Sequence, residues 1–424
     1  MPVPIIGRLN FRDYQALVIG LILLFLEALL RVITHCLPAF ALEFFRGQSQ
    51  KGYTVEEHIV RTQDHCILGI HRLPEGKYSA NDADSKSRIE SIFDRCGISH
   101  SAIRNEQACS SKGIKPVVLL YHGLMMCSEI WMCNLDEERR LACLLTDAGH
   151  PNSRKFWDYS MDEFALYDLP DTIDYILETT GAPSLTYIGF SQGAAQAFAA
   201  LSINPKLNKK VNLFVALAPA TSPKGLQNPI VDAFIKASPN IVYLFFGRKA
   251  FLTMTMFWQR VLSPPIFTKL LDTCMNFLFG WSGKNMTEEQ KAASYYHLYN
   301  FTSVKSLVHW FQIIRANSFQ MYDELPPYSS PTAIGHYCHR FPTEQIQTPI
   351  SVFYGGSDSL VKIEVLLKQL PKPVFIKEVP PYEHLDFIWG YDVHTHVFPE
   401  LFNLLRKYNT CDDETDMKLS DHEY

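Results

Sequence analysis

Two hydrophobic rhythms alternate along the chain, and their order predicts its architecture. Short runs that are apolar on both faces recur at residues 116–121, 184–188, 211–217, 350–354 and 374–379. Runs without polar alternation mark strands buried on both sides of a parallel sheet. Stretches with helical spacing separate them. Residues 136–148 bring Leu141, Leu144 and Leu145 to one face, and Leu169, Ile173, Ile176 and Leu177 make another apolar stripe. An Ala-rich run covers 194–201, and 361–370 is amphipathic. Strands alternating with helices specify an α/β fold. Ahead of them, 55–61 and 66–73 flank the polar turn Thr62-Gln63-Asp64-His65 and predict a β-hairpin. Ser160-Met161-Asp162-Glu163 is a capping box, and Asp168-Leu169-Pro170 predicts a separate helix start.

Other stretches break this alternation. Residues 16–26 are unbroken apolar; Glu27 and Arg31 interrupt the run, which resumes through Val32, Ile33 and Leu37 to Phe45 with Pro38 as a breaker. A spanning helix needs about 20 apolar residues, so the first run is short for a span. A signal peptide would use Arg8 and Arg12 as its basic start and Ala39-Phe40-Ala41 as its cleavage site, well past the end of that run. A single tilted span has to hold Glu27 near its end. A hairpin bent near Pro38 uses both runs and leaves the charges at the interface. Residues 1–46 are therefore read as a membrane anchor rather than a cleaved signal, with the hairpin placed ahead of the span. Residues 77–113 are rich in Ser and charge and read as a surface insertion in the first part of the core, 47–220. From 221 to 341 the pattern turns to Pro-punctuated helices heavy in aromatics and Met, as at 241–246, 251–258 and 277–281. That is either a helical subdomain with its own core or a lipid-facing lid, and its position between two strands of the sheet weights the lid. The second part of the core is 342–408, and 409–424 is an acidic tail without a folding pattern.

Composition removes whole function classes. Net charge is −5 with no dense Lys/Arg run, so the footprint of a nucleic-acid binder is absent and no such partner is expected. Ten cysteines lie scattered without a Cys-x-x-Cys pair or zinc-like spacing, which reads as mostly buried thiols and predicts no metal site. Two glycosylation sequons, at Asn285 and Asn300, are too common as chance triplets to identify a compartment.

The candidate chemistry centres on Gly189-Phe190-Ser191-Gln192-Gly193, placed between a buried strand and a helix. A serine on such a strained turn presents its oxygen to a carbonyl, and the flanking glycines let the turn close. The helix N-terminus behind it offers the Gln192 backbone N–H to a developing oxyanion. At the end of another central strand, His122-Gly123-Leu124 offers the Leu124 N–H as a second donor, although a Gly turn follows many strands. Asp358 closely follows the strand at 350–354, and His384 follows the last strand, whereas His394 and His396 read as part of the closing helix. Ser, Asp and His in that order match the α/β-hydrolase arrangement.

The chain resembles the acid lipases, and within them the fungal membrane-anchored sterol esterases and triacylglycerol lipases of lipid droplets. The motifs that carry the resemblance are Tyr121-His122-Gly123-Leu124, Phe156-Trp157 through Asp162-Glu163 to Tyr167-Asp168-Leu169-Pro170, the Ser191 elbow, Ser303-Val304-Lys305 to His309-Trp310, and His384-Leu385-Asp386-Phe387-Ile388-Trp389-Gly390. The resemblance implies an α/β-hydrolase sheet with a helical lid. Ser191 is its nucleophile, His384 its base and Asp358 its acid, and the Leu124 and Gln192 amides form the oxyanion hole. It implies a neutral-lipid substrate, no cofactor, and a place at the endoplasmic reticulum membrane or a lipid droplet.

One departure stands out. Family members carry a strand and an Asn-x-Arg-Gly loop between the helix ending near Ala148 and Phe156-Trp157, whereas here only the linker 149–155 remains. Pro151 and the lack of a β-branched or aromatic run prevent that linker from replacing a strand. Two outcomes are open: the hairpin shifts inward to close the gap, or the chain is a shortened product of a longer sequence. The second is the stronger expectation. A lipid-binding homologue with little or no turnover is the alternative function.

Overall fold

In the computed structural model the described residues are 55–74, 116–133, 157–223, 238–251, 262–324 and 338–409, with a few isolated positions between them. The expectations for 1–46, 136–155 and the acidic tail from 410 onward lie outside this set, as does most of 77–113.

Strand β1 (Glu56–Arg61) pairs antiparallel with β2 (Ile67–Arg72). The turn between them closes through His65 N–H donating to Thr62 O, with His65 at φ 70°. Strands β3 (Val118–Tyr121), β4 (Leu185–Phe190), β5 (Val211–Leu217), β6 (Ile350–Gly355) and β7 (Phe375–Val379) form one five-stranded sheet in that order, parallel throughout. Alternate side chains of each strand enter two different cores. Tyr187, Phe214 and Val352 pack on one side; Ile188, Val215 and Phe353 pack on the other. Both faces are covered, so the strand runs carry no polar alternation.

The first core is covered by α1 (Leu169–Thr180) and α2 (Gln192–Ile203). The Ser160 capping box forms as expected, Ser160 Oγ accepting from Asp162 N and Glu163 Oε2 from Ser160 N. The helix expected to open at Asp168-Leu169-Pro170 is present as α1, with the proline in its first turn, where its missing N–H costs little. It is not a fresh start, because the short helix Met161–Glu163 runs on through a π-helical turn, Phe164–Asp168, into α1, and the Asp168 side chain makes no cap hydrogen bond.

Between β5 and β6 the described residues include the helices α3 (Pro239–Phe246), α4 (Pro264–Phe279), α5 (Glu288–Ser294) and α6 (Val304–Ala316). Helix α3 packs Val242 and Phe245 against Val304, Val308 and Phe311 of α6 in a small core of their own. Helix α4 instead sends Phe267, Leu271 and Met275 into the second core of the sheet. Helix α7 (Ile363–Gln369) follows β6, and α8 (Phe398–Asn409) closes the described chain.

Among the described residues β3 is one edge of the five-stranded sheet, and the hairpin forms a two-stranded sheet of its own. Gln63 and Asp171 instead tie its turn to α1, the carboxylate accepting from Gln63 N and Nε2. An inward shift of β2 onto β3 is therefore not what the chain does among its described residues. Residues 134–156, where an intervening strand would have to arise, lie outside the described set.

Candidate active site

Ser191 sits at the joint between β4 and α2 with φ 54° and ψ −114°, a conformation that a side-chain-bearing residue adopts only under constraint. The constraint is visible at the flanking glycines. A Cβ on Gly193 would lie 2.5 Å from Tyr121 O, and one on Gly189 would lie 2.7 Å from Ala194 N. Strand, turn and helix thus close so tightly that neither position has room for a methyl group. Ser191 N donates to Leu217 O, and Tyr187 Oη donates to Gly193 O, fixing the turn from both sides.

Two loops at the C-terminal end of the sheet bring in the partners. His384, on the loop after β7, has Nε2 2.7 Å from Ser191 Oγ, and its Nδ1 is 2.7 Å from Asp358 Oδ2 on the loop after β6. An ionised carboxylate only accepts hydrogen bonds, so Nδ1 carries the imidazole proton and Nε2 is left to accept from the serine. Asp358 is held in turn, since its Oδ1 accepts from Leu360 N at 2.9 Å. All three side chains are buried, with Ser191 8% and His384 3% exposed. The imidazole lies between rings: Trp281 stacks on it at 5.2 Å and 11°, and Phe190 packs at 5.1 Å and 47°.

The two residues expected to supply oxyanion donors both lie near Ser191 along the chain or across the turn. Gln192 is the first residue of α2, where a backbone N–H has no intrahelical acceptor. Leu124 follows Gly123, on which a Cβ would lie 3.2 Å from Ser191 Cβ. The next residue, Met125, has φ 59°, and its carbonyl accepts from Asn300 N at 2.6 Å. The helical insert supports the other donor as well: Trp310 Nε1, on α6, donates to Gln192 Oε1 at 2.6 Å. Among the described residues no three His, Cys, Asp or Glu side chains gather as a metal site.

The match to known sequences agrees with this geometry. The model of the α/β hydrolase fold matches residues 116–391, and that of the partial α/β-hydrolase lipase region matches residues 48–135. The chain belongs to the acid lipase family of α/β hydrolases. A probable lipase of Schizosaccharomyces pombe is 40% identical over 466 residues, covering 95% of this chain and 93% of the relative. Gastric triacylglycerol lipase of Rattus norvegicus is 32% identical, covering 84% of this chain and 89% of that protein. Lysosomal acid lipase/cholesteryl ester hydrolase of the same species is 33% identical, with 83% and 88% covered. The first alignment is longer than the 424 residues of this chain, so that lipase carries residues with no counterpart here.

Of the residues nominated from the sequence, Ser191, His384 and Asp358 are joined by hydrogen bonds, Gln192 directly follows Ser191, and Leu124 follows the Gly123 that lies against it. What sequence reading missed are the groups that hold them. In the sequence Trp310 is marked only by a family motif, Trp281 only by an aromatic run, and the Asn300 contact carries no sequence signal.

Proposed function

We propose that the chain is a serine hydrolase of neutral-lipid carboxylic esters, acting through an acyl-enzyme on Ser191. The observation that carries this reading is the continuous hydrogen-bonded chain from Ser191 Oγ through His384 to Asp358. In the first half-reaction His384 Nε2 takes the Ser191 proton as Oγ attacks the ester carbonyl. The Leu124 and Gln192 amides receive the oxyanion, and Asp358 stabilises the imidazolium. His384 then returns the proton to the departing alkoxide oxygen. Water repeats the sequence on the acyl-enzyme and releases the fatty acid. The names of the two mammalian relatives, one a triacylglycerol lipase and one a cholesteryl ester hydrolase, support steryl esters and triacylglycerols as the substrate class.

A lipid surface is the place this reading assigns to the enzyme. Ile266, Leu270 and Phe277 are exposed along one face of α4, and residues 1–46 carry the two apolar runs. Removing residues 1–46 is expected to move the protein from the membrane fraction into the soluble fraction; unchanged fractionation would refute the anchor.

The central experiment is hydrolysis of a chromogenic short-chain ester by the purified chain beside a Ser191→Ala control, followed by parallel assays on a triacylglycerol and a steryl ester. Turnover that survives Ser191→Ala would refute the mechanism. A chain that binds both lipids without turnover would replace the enzyme by a lipid-binding homologue, the reading that the separate hairpin and short linker favour.

A further inference from the structure

We infer that Trp281, in the helical insert, is a positioning residue that holds the base and the acid of the site in register; this rests on Ser191, His384 and Asp358 acting as a catalytic unit. Trp281 touches both loops. Its ring lies nearly coplanar on His384, 11° off parallel, and its indole N–H donates to Ser359 Oγ at 3.1 Å, directly after Asp358. Ser359 Oγ in turn donates to Phe279 O at 2.8 Å, and the Phe279 ring stacks on Trp281 at 4.3 Å. The imidazole thus packs against two rings, stacked on Trp281 and with the Phe190 ring tilted by 47° beside it. An imidazole packed in this way has few ways to rotate about χ2. Its Nε2 is then kept on Ser191 Oγ and its Nδ1 on Asp358.

The backbone under Trp281 is fixed to the same loop. The Glu383 carboxylate accepts from Ser282 N, Ser282 Oγ and Gly283 N, each at 2.8 Å. Asn285 Nδ2 donates to Pro381 O at 2.7 Å and to Asp386 Oδ2 at 2.8 Å. The residues on either side of His384 along the chain are therefore bonded to the stretch that carries Trp281. Residues 279–286 behave as part of the catalytic frame, whereas a lid would have to part from it on opening.

The test compares Trp281→Leu and Trp281→Phe with the parent on a soluble short-chain ester, together with thermal melting and the low-field proton resonance of the His384–Asp358 hydrogen bond. Trp281→Leu is expected to lower kcat about 10- to 100-fold with KM little changed, the loss typical of a misplaced catalytic group. Trp281→Phe, which keeps the ring and loses the N–H, should recover most of it. The low-field resonance should broaden or vanish in Trp281→Leu and persist in Trp281→Phe. A raised KM with kcat intact would make Trp281 a substrate contact and overturn the inference. So would a lowered melting point with kcat and resonance unchanged. Should the parent hydrolyse no ester, the functional reading fails, and the resonance alone then decides the positioning role.

Discussion

At the scale of single residues, the site joins three side chains whose separate removal and joint removal should cost nearly the same. Ser191→Ala, His384→Ala and Asp358→Asn are each expected to lower kcat by about 10⁴-fold or more. A double variant should lose little beyond the worse single one, because the chain of proton transfer is already broken. Additive losses on the chromogenic ester would show that the three do not act as a unit. Next to them, Asp386 carries a different signature. Burial first of all, with the charges of Glu383 and Asp392 beside it, pushes its carboxyl up to about 6 against the hydrogen bonds from Asn285 and Glu383 N. A raised carboxyl pKa means the folded state takes up a proton that the unfolded chain releases. Its stabilising contribution is complete below the unfolded value near 3.8 and is lost as pH rises through about 6. Asp386→Asn removes that dependence, and the amide nitrogen can occupy the place of Oδ1, which has no hydrogen-bond partner. Urea unfolding at pH 4 and pH 7 should show the variant gaining on the parent by about 2–3 kcal/mol at the higher pH. A difference independent of pH would refute the buried, proton-holding carboxyl.

Among the elements, the elbow is the most constrained. A methyl on Gly193 would collide with two backbone carbonyls, Tyr121 O at 2.5 Å and His122 O at 2.6 Å, and backbone cannot move aside as a side-chain tip can. Gly193→Ala is expected to lower stability by about 1–3 kcal/mol or more and to abolish activity, since the relief has to come from separating β3 and α2. Gly181, at the end of α1, is the contrast: φ is 69° with nothing within 4 Å of an added Cβ. Gly181→Ala should cost only about 1–2 kcal/mol from the left-handed conformation and leave kcat unchanged. Equal effects of the two on melting and turnover would refute the close approach at the elbow. The elements themselves were well marked in the sequence wherever local chemistry sets them, as with the capping box at Ser160 or the apolar runs of β4 and β5. The continuous passage into α1 was not, because a π turn depends on how the helix packs and leaves no compositional mark.

For the whole molecule, the open question of sheet continuity becomes an experiment. A chain with a strand and an Asn-x-Arg-Gly loop restored after Gly149 is expected to melt at a higher temperature and to hydrolyse ester faster. Unpaired backbone groups in an interior cost about 1–3 kcal/mol each, and several together approach the roughly 5–15 kcal/mol net stability of a fold. Cooperative melting and equal turnover in the 424-residue form would show that the separate hairpin costs nothing. The sequence by itself determined the α/β order and the strand runs and nominated Ser191, Asp358 and His384, since each of these is written in short-range pattern: periodicity, flanking glycines, and position after a strand. Only the tertiary structure decided that β1 and β2 do not pair with the large sheet among the described residues, that Trp310 reaches Gln192, and that Trp281 touches the loops of both His384 and Asp358. Those contacts join residues tens to hundreds of positions apart, and no local pattern encodes a distance that only the folded chain closes.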